Sequence, residues 1–341
     1  MKVFITGGTG FLGRHVVERL CATGHQVVFT GRQRATGEAI AAATGAQFVA
    51  LDLALDLSGA LATVTLTEAM HNAEAVIHSA ALAAPWGDWQ KFYDANVVAT
   101  QNVIRASLAA RVRRLVNLST PSVYFEYRDR LNIRESEPLP RVPVNHYAAT
   151  KLRAEQAVAA VAQQIEVVSL RPRALFGPWD TAIMPRLIKV AASGTLPLLR
   201  GGAAQIDVTW IGNAVDAVEL ALLAPQLKSG SVYNISNGEP LTARELFARV
   251  TAALELKVSL RPVPYRLAAT LAGGAEWWAD HVTHREPRVT RYSLALLAYS
   301  QTLDISAARR ELGYHPTVSV NEGLQRYAAW LRTAEGKSAT N

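Results

Sequence analysis

The sequence has a single cysteine, Cys21, in 341 residues, so no disulfide can form within the chain. Cys21 falls at helical spacing among apolar residues, where a small buried hydrophobe is expected rather than a reactive thiol. The eight histidines show no ligand spacing with other donors, so no metal is implied. No apolar run reaches the roughly 18 to 20 residues that a spanning helix requires, and no signal peptide precedes the apolar run that starts at Lys2. A cytoplasmic protein is the expectation. The net charge of +7 comes from scattered basic residues without an aromatic-interleaved stripe, which argues against nucleic acid as a partner.

Half of the residues are apolar and 18% are charged, as in ordinary globular proteins, and the length allows a sizeable core. Lys2 to Thr6 reads as one buried strand, running directly into Gly7-Gly8-Thr9-Gly10-Phe11-Leu12-Gly13. Phe11, Leu12, Val16, Val17, Leu20 and Cys21 follow at helical spacing, and Gln26 to Thr30 reads as the next strand. Gly8, Gly10 and Gly13 satisfy G-x-G-x-x-G, and Gly7, Gly10 and Gly13 satisfy G-x-x-G-x-x-G. Between a strand and a helix this spacing predicts a dinucleotide site, because the backbone must approach a pyrophosphate at the positive helix end. The cradle comprises Gly7, Thr9, Gly10, Phe11, Leu12 and Gly13.

A carboxylate at the end of the second strand would favour NAD; Thr30-Gly31-Arg32 offers none there. The Arg32 guanidinium suits a 2′-phosphate, so NADP(H) is the preferred cofactor, with NAD as the alternative and Arg34 as a second phosphate candidate. Gln47 to Leu53 reads as a third strand ending at Asp52 and Leu53 beside the adenine, although Asp52 also suits a turn. Ala75 to His78 reads as a fourth strand that leads into Ser79-Ala80-Ala81, where Ala80 and Ala81 let the backbone lie against the cofactor. His78 is expected beneath the sheet rather than in catalysis. Ala95 to Ala110 reads as a helix, with Asn96 either bonding the neighbouring backbone or ordering a water.

Arg114 to Leu118 reads as a fifth strand ending in Ser119-Thr120-Pro121-Ser122-Val123-Tyr124. Tyr147 and Lys151 open an alanine-rich helix that runs to about Gln164, and four-residue spacing puts them on one face. A neighbouring ammonium is expected to lower the phenol pKa, letting it exchange a proton with a carbonyl or alcohol while hydride moves. Thr120 could hold the same oxygen.

Here the sequence resembles the extended short-chain dehydrogenase/reductases, in the 3β-hydroxysteroid dehydrogenase-like branch, and within it the bacterial 2-alkyl-3-oxoalkanoate reductases. The likeness covers nearly the whole chain. It is carried by Thr6 to Gly13, His78-Ser79-Ala80-Ala81, Tyr147/Lys151, Leu170-Arg171-Pro172 and Leu175-Phe176-Gly177-Pro178. Further matches are Tyr233-Asn234-Ile235, Leu312-Gly313-Tyr314-x-Pro316, Ala84-Pro85-Trp86-Gly87, Ser119 to Val123, Asn237 to Pro240 and Glu286 to Arg291. The resemblance implies Tyr147 as acid/base, Lys151 as ribose ligand and tuner of the phenol, and Thr120 as ligand of the substrate oxygen. Tyr147, Lys151 and Pro172 then join the cofactor-binding set. Sugar-nucleotide 4,6-dehydratases carry Asp-Glu after the threonine; Pro121 and Ser122 stand here, which disfavours that elimination. A homodimer through two helices of the nucleotide domain is a further implication.

The expected fold class is α/β: a Rossmann-type doubly wound parallel sheet with a smaller, mostly helical C-terminal substrate lobe. Residues 1–176 would form the nucleotide-binding domain, with 206–236 returning to it; 177–205 and 237–332 would form the lobe, and 333–341 a frayed tail. Gly194 to Gly202 reads as a loop, and Thr242 with Glu245 as a capping box. Tyr265 to His281, with Leu267, Leu271, Trp277 and Trp278, lines an acyl or sterol pocket, packs as lobe core, or touches a membrane surface. Arg171, Arg173, Arg200 and Arg288 are candidates for an anionic head group. The expected activity interconverts a secondary alcohol and a ketone on a bulky apolar substrate, of 3-oxo/3-hydroxy long-chain acid or 3β-hydroxysteroid type. A nucleotide-sugar epimerase and a non-catalytic cofactor sensor are the alternatives.

Overall fold

The computed structural model describes residues 1–54 and 60–340. In Lys2–Thr6 (β1), Val3 and Ile5 enter one core cluster and Phe4 enters another, so both faces of the strand are buried. Such a strand belongs inside a parallel sheet. On one side β1 pairs with Gln26–Gly31 (β2), which carries Gln47–Ala50 (β3) beyond it. On the other side it pairs with Ala75–His78 (β4), followed by Arg114–Leu118 (β5), Glu166–Pro172 (β6) and Ser231–Ile235 (β7). The seven strands are parallel and run in the order β7-β6-β5-β4-β1-β2-β3. This is the expected doubly wound, Rossmann-type sheet. Its order reverses between β1 and β4, where open α/β sheets bind ligands beyond the strand C-termini.

Helices Phe11–Ala22 (α1), Ala99–Ala109 (α2), His146–Ala159 (α3) and Ile211–Leu223 (α4) cover the sheet. Val16, Val17 and Leu20 of α1 pack with Val215 and Val218 of α4 on one face; Val103 of α2 and Val158 of α3 close the other.

Several elements differ from the sequence-based expectation. The third strand stops at Ala50, because Asp52 Oδ1 accepts from Ala54 N at 3.0 Å and turns the chain. Gly194 to Gly202 contains a strand, Thr195–Leu199, paired in parallel with Ser259–Val263; Pro197 hides its alternation but is tolerated in a two-stranded edge. Of the segment 206–236, Ser231–Ile235 joins the large sheet and Ile206 to Ile211 does not. Gln205–Ile206 sits in a small sheet with Leu241–Thr242 and Gln301–Leu303, while Thr209–Trp210 pairs with Leu175–Phe176. Buried Asp207 divides that run, accepting from Leu303 N at 2.7 Å. The α3 helix ends at Ala159, short of Gln164. The tail is helical over Ala334–Thr340, with Glu335 meeting Arg14 at 3.3 Å; Asn341 lies outside the described residues. The Thr242–Glu245 capping box forms.

Candidate active site

At the reversal of strand order, one cleft gathers eight of the residues singled out for the cofactor: Gly7, Thr9, Gly10, Arg32, Asp52, Leu53, Ala80 and Ala81. Phe11 lines an adjoining hollow with Thr9, Gly10, Arg14, Arg32 and Trp179. Leu12 and Gly13 lie buried beneath it in α1. Two glycines are obligatory for steric reasons. Gly7 has φ +69°, and a Cβ there would sit 2.7 Å from Ala80 Cα; a Cβ on Gly13 would sit 2.1 Å from Gly7 O. Pro172, Tyr147 and Lys151, the other three residues of the cofactor set, do not line this cleft; Pro172 ends β6, in register with Ile235 of β7.

A line of buried polar groups runs under the cleft. Thr6 Oγ1 accepts from Ala80 N at 3.2 Å and lies 2.7 Å from His78 Nδ1. His78 Nε2 lies 2.8 Å from Thr100 Oγ1, which donates to Asn96 O at 2.6 Å. Asn96 holds Leu82 by both backbone groups and donates to Thr150 Oγ1 at 3.0 Å, beside Lys151. His78 thus lies beneath the sheet, as expected, and Asn96 bonds backbone, the first of its two readings. Burial, aided by the charge of Lys151, pushes the His78 imidazole down to about 3. Sequence reasoning missed Thr100 and Thr150, which look like ordinary helix residues until their partners are seen.

Thr120, Tyr147 and Lys151 meet at the C-terminal end of β5. Asn145 caps α3 by accepting from Ala148 N at 2.9 Å, which sets the first turn carrying Tyr147. The Thr120 side chain faces the Tyr147 phenol closely enough to favour its charged form. Lys151 Nζ donates to Leu118 O at 2.6 Å. Burial pulls the Lys151 ammonium down to about 8, against the opposing charge of Glu155. Burial likewise pushes the Tyr147 phenol up to about 12, only partly offset by Thr120. The sequence-based expectation of a lowered phenol pKa is therefore reversed: desolvation dominates, and the lysine hydrogen bond goes to a carbonyl.

A second tyrosine completes the chamber. Tyr292, on Arg291–Ala298, lies 2.8 Å from Ser122 Oγ, which in turn receives Thr120 Oγ1 at 3.1 Å. The Glu286 to Arg291 stretch stops one residue short of it, so the signal stood next to the motif. Of the four arginines considered for an anion, Arg171 is buried and tied to Glu155 and Tyr124. Arg200 pairs with Asp129 at 3.0 Å, and Arg288 is exposed. Arg173 is buried, and its Nε has no hydrogen-bond partner.

Tyr265–Trp278 (α5) exposes most of its residues, small and large. Ala272 is buried, whereas Leu267, Leu271, Trp277 and Trp278 are each more than half exposed. Those four side chains are not lobe core. Trp86 Nε1 donates to Asp280 Oδ1 at 2.9 Å, joining the stretch beyond Ala81 to the end of this element. Among the described residues no helix is long and apolar enough to cross a membrane.

A cleft at a strand-order reversal, entered by a helix N-terminus, defines a Rossmann-type dinucleotide-binding protein. The class narrows on comparison with known proteins. The chain belongs to the NAD dependent epimerase/dehydratase family, matched over residues 3–236, the group of the extended short-chain dehydrogenase/reductases. It is 36% identical over 339 residues to the 2-alkyl-3-oxoalkanoate reductase of Stenotrophomonas maltophilia, covering 96% of this chain and 99% of that protein. It is 28% identical to the human decarboxylating sterol-4-alpha-carboxylate 3-dehydrogenase, covering 94% and 86%. The solved dTDP-glucose 4,6-dehydratase DesIV of Streptomyces venezuelae, with NAD bound, is 26% identical with a TM-score of 0.76, covering 99% and 98%. The protein is thus of the NAD-dependent oxidoreductase, epimerase and dehydratase group.

Proposed function

We propose that the protein is an NADP(H)-dependent ketoreductase/alcohol dehydrogenase acting on a secondary alcohol or ketone of a bulky apolar substrate, of 3-oxo/3-hydroxy acid or 3β-hydroxysteroid type. The observation that carries this reading is the convergence of Tyr147 on Thr120, with Lys151 Nζ donating to Leu118 O at 2.6 Å and Asn96 linking Thr150 to Leu82 of the glycine-lined cleft. When bound, a nicotinamide cofactor would supply or accept the hydride at the substrate carbon. Thr120 orients the carbonyl oxygen, and Tyr147 passes it a proton. A phenol pushed up to about 12 by burial holds its proton at neutral pH, the form needed to protonate a ketone oxygen. Arg32, exposed at the rim of both hollows, meets the adenosine 2′-phosphate, and Gly31 leaves no carboxylate to repel it.

Cofactor absorbance at the reduced nicotinamide band tests the reading, with NADPH and NADH compared on a 2-alkyl-3-oxo acid, a 3β-hydroxysteroid and a UDP-hexose. Turnover of the acid or steroid that disappears in Tyr147→Phe is the expected result. Conversion of the UDP-hexose with no net change in cofactor would replace the reductase by an epimerase.

The outward face of α5 supports peripheral contact with an anionic membrane surface, through which an apolar substrate would be reached. Arg266 on this helix and Arg261, Arg285 and Arg288 in the flanking sequence are exposed and make no ion pair with the described residues. A homodimer through two helices flanking the nucleotide sheet accompanies this reading and is tested by sedimentation.

A further inference from the structure

The four arginines considered above have different surroundings, and only one of them is both buried and unpaired. Arg173 is 5% exposed, and no hydrogen bond or ion pair from its guanidinium to the described residues is formed. Asp207, whose charge it feels, directs its carboxylate to Leu303 N at 2.7 Å and to the Ser236 side chain. A guanidinium carries five donors in a fixed fork. The Arg173 Nε is shut off from solvent without a partner, and folded proteins rarely leave a buried guanidinium donor so without a ligand or functional reason.

Its position supplies the reason. Arg173 follows the C-terminal end of β6, and Thr120 follows the C-terminal end of β5; the two strands are neighbours, with Leu118 opposite Leu170. Ser119 N donates to Leu170 O at 2.7 Å and Arg173 N to Ile235 O at 2.9 Å, so both chains leave the sheet still in lateral register. Neighbouring strands lie about 5 Å apart. From Thr120 the hydroxyl line runs through Ser122 to Tyr292, which also feels the Arg173 charge. The relatives add an independent chemical point. Both the 2-alkyl-3-oxoalkanoate reductase and the sterol-4-alpha-carboxylate 3-dehydrogenase are named for compounds that carry a carboxylate close to the reacting oxygen.

We propose that Arg173 binds the carboxylate of a substrate whose carbonyl or hydroxyl oxygen lies two carbons away at Thr120 and Tyr147, and so selects 3-oxo or 3-hydroxy acids over neutral sterols and esters. The assignment of the reacting oxygen rests on the reductase reading above; the carboxylate site does not. The guanidinium fork takes both carboxylate oxygens, supplying the hydrogen-bond acceptors that Asp207, engaged by Leu303 N, does not.

The test compares kcat/KM of the cofactor-loaded enzyme for a 2-alkyl-3-hydroxy acid and its methyl ester in wild type, Arg173→Met and Arg173→Lys. Wild type is expected to favour the acid by about 100-fold, and Arg173→Met to lose about 100-fold on the acid, chiefly in KM. Its rate on the ester should change less than about threefold, and Arg173→Lys should fall between the two. Equal losses on acid and ester would overturn the proposal and make the arginine structural. Calorimetric titration of a 2-alkylalkanoate, which has no oxygen to react, separates the two readings. Arg173-dependent binding without turnover of either compound sustains the anion site and sinks the reductase. An acid preference that survives in Arg173→Met, or no alkanoate binding in wild type, sinks the anion site.

Discussion

Thr6 Oγ1 and His78 Nδ1 face each other at 2.7 Å across register positions of β1 and β4, directly under the cofactor cleft. The proton positions follow from the neighbours. Ala80 N donates to Thr6 Oγ1, so the Thr6 hydroxyl has its own hydrogen free for Nδ1. Thr100 Oγ1 donates to Asn96 O, so it accepts from Nε2, and the imidazole is the neutral Nε2–H tautomer. A charged imidazole would put two hydrogens face to face. Sequence, tautomer and cleft geometry are joined in this one pair.

Stability should therefore depend on pH through His78. Its folded pKa of about 3 lies below the ordinary 6.5, so the unfolded chain binds the proton first as pH falls. The stabilising contribution is complete above about pH 6.5 and is lost toward about pH 3, at about 1.4 kcal/mol per pH unit. Urea unfolding from about pH 7.5 to about pH 5 should show this slope, and His78→Asn should flatten it while costing about 1–3 kcal/mol at the upper end. An unchanged slope in the variant would assign the dependence to other groups.

Tyr147→Phe should lower kcat by about 10²- to 10⁴-fold, the usual range for a positioned acid. Cofactor affinity should stay within about threefold, as measured by fluorescence titration. Full turnover by the variant would remove the phenol from the mechanism.

Gly13→Ala should abolish measurable cofactor binding and destabilise the fold by about 1–3 kcal/mol, because its new methyl would meet Gly7 O at 2.1 Å. Gly24→Ala serves as control: its Cβ meets no atom within 4 Å, although its φ of +82° carries some strain. Calorimetry and thermal unfolding read both variants.

Arg32→Ala should reduce kcat/KM for NADPH by at least about tenfold and leave NADH nearly unchanged, since only the phosphate loses its partner. A parallel loss with both cofactors would place the guanidinium against the shared adenosine instead.

Leu271→Glu combined with Trp278→Glu should lower co-sedimentation with vesicles of anionic lipid by about tenfold and leave turnover of a short soluble substrate unchanged. Retained vesicle binding would make the outward apolar face of α5 irrelevant to membranes.

Much of the fold was legible because its signals are local. The continuous apolar run of Val3, Phe4 and Ile5, the glycines from Gly7 to Gly13, and the Thr242–Glu245 box each lie within a few residues of sequence. What escaped depends on partners far along the chain. Thr195–Leu199 becomes a strand only because Ser259–Val263 lies beside it, and Asp207 splits its run only because Leu303 offers an N–H. The site divides in the same way. Spacing singled out Tyr147 and Lys151, but the direction of the phenol shift depends on burial, which periodicity does not report. Tyr292 belongs to the chamber through Ser122, a residue 170 positions earlier.

The order of strands also sets a timetable for assembly. Residues up to His78 already supply β3-β2-β1-β4, and from there each newly synthesised strand, β5, then β6, then β7, adds to the free edge left by its predecessor. Chains emerge from the ribosome at about 5–20 residues per second, N-terminus first. Gly7, Arg32, Asp52 and Ala80 are thus all made before Tyr147, Arg173 and Tyr292. The strands that carry the cleft can therefore pair while the residues of the chamber around Thr120 are still being translated.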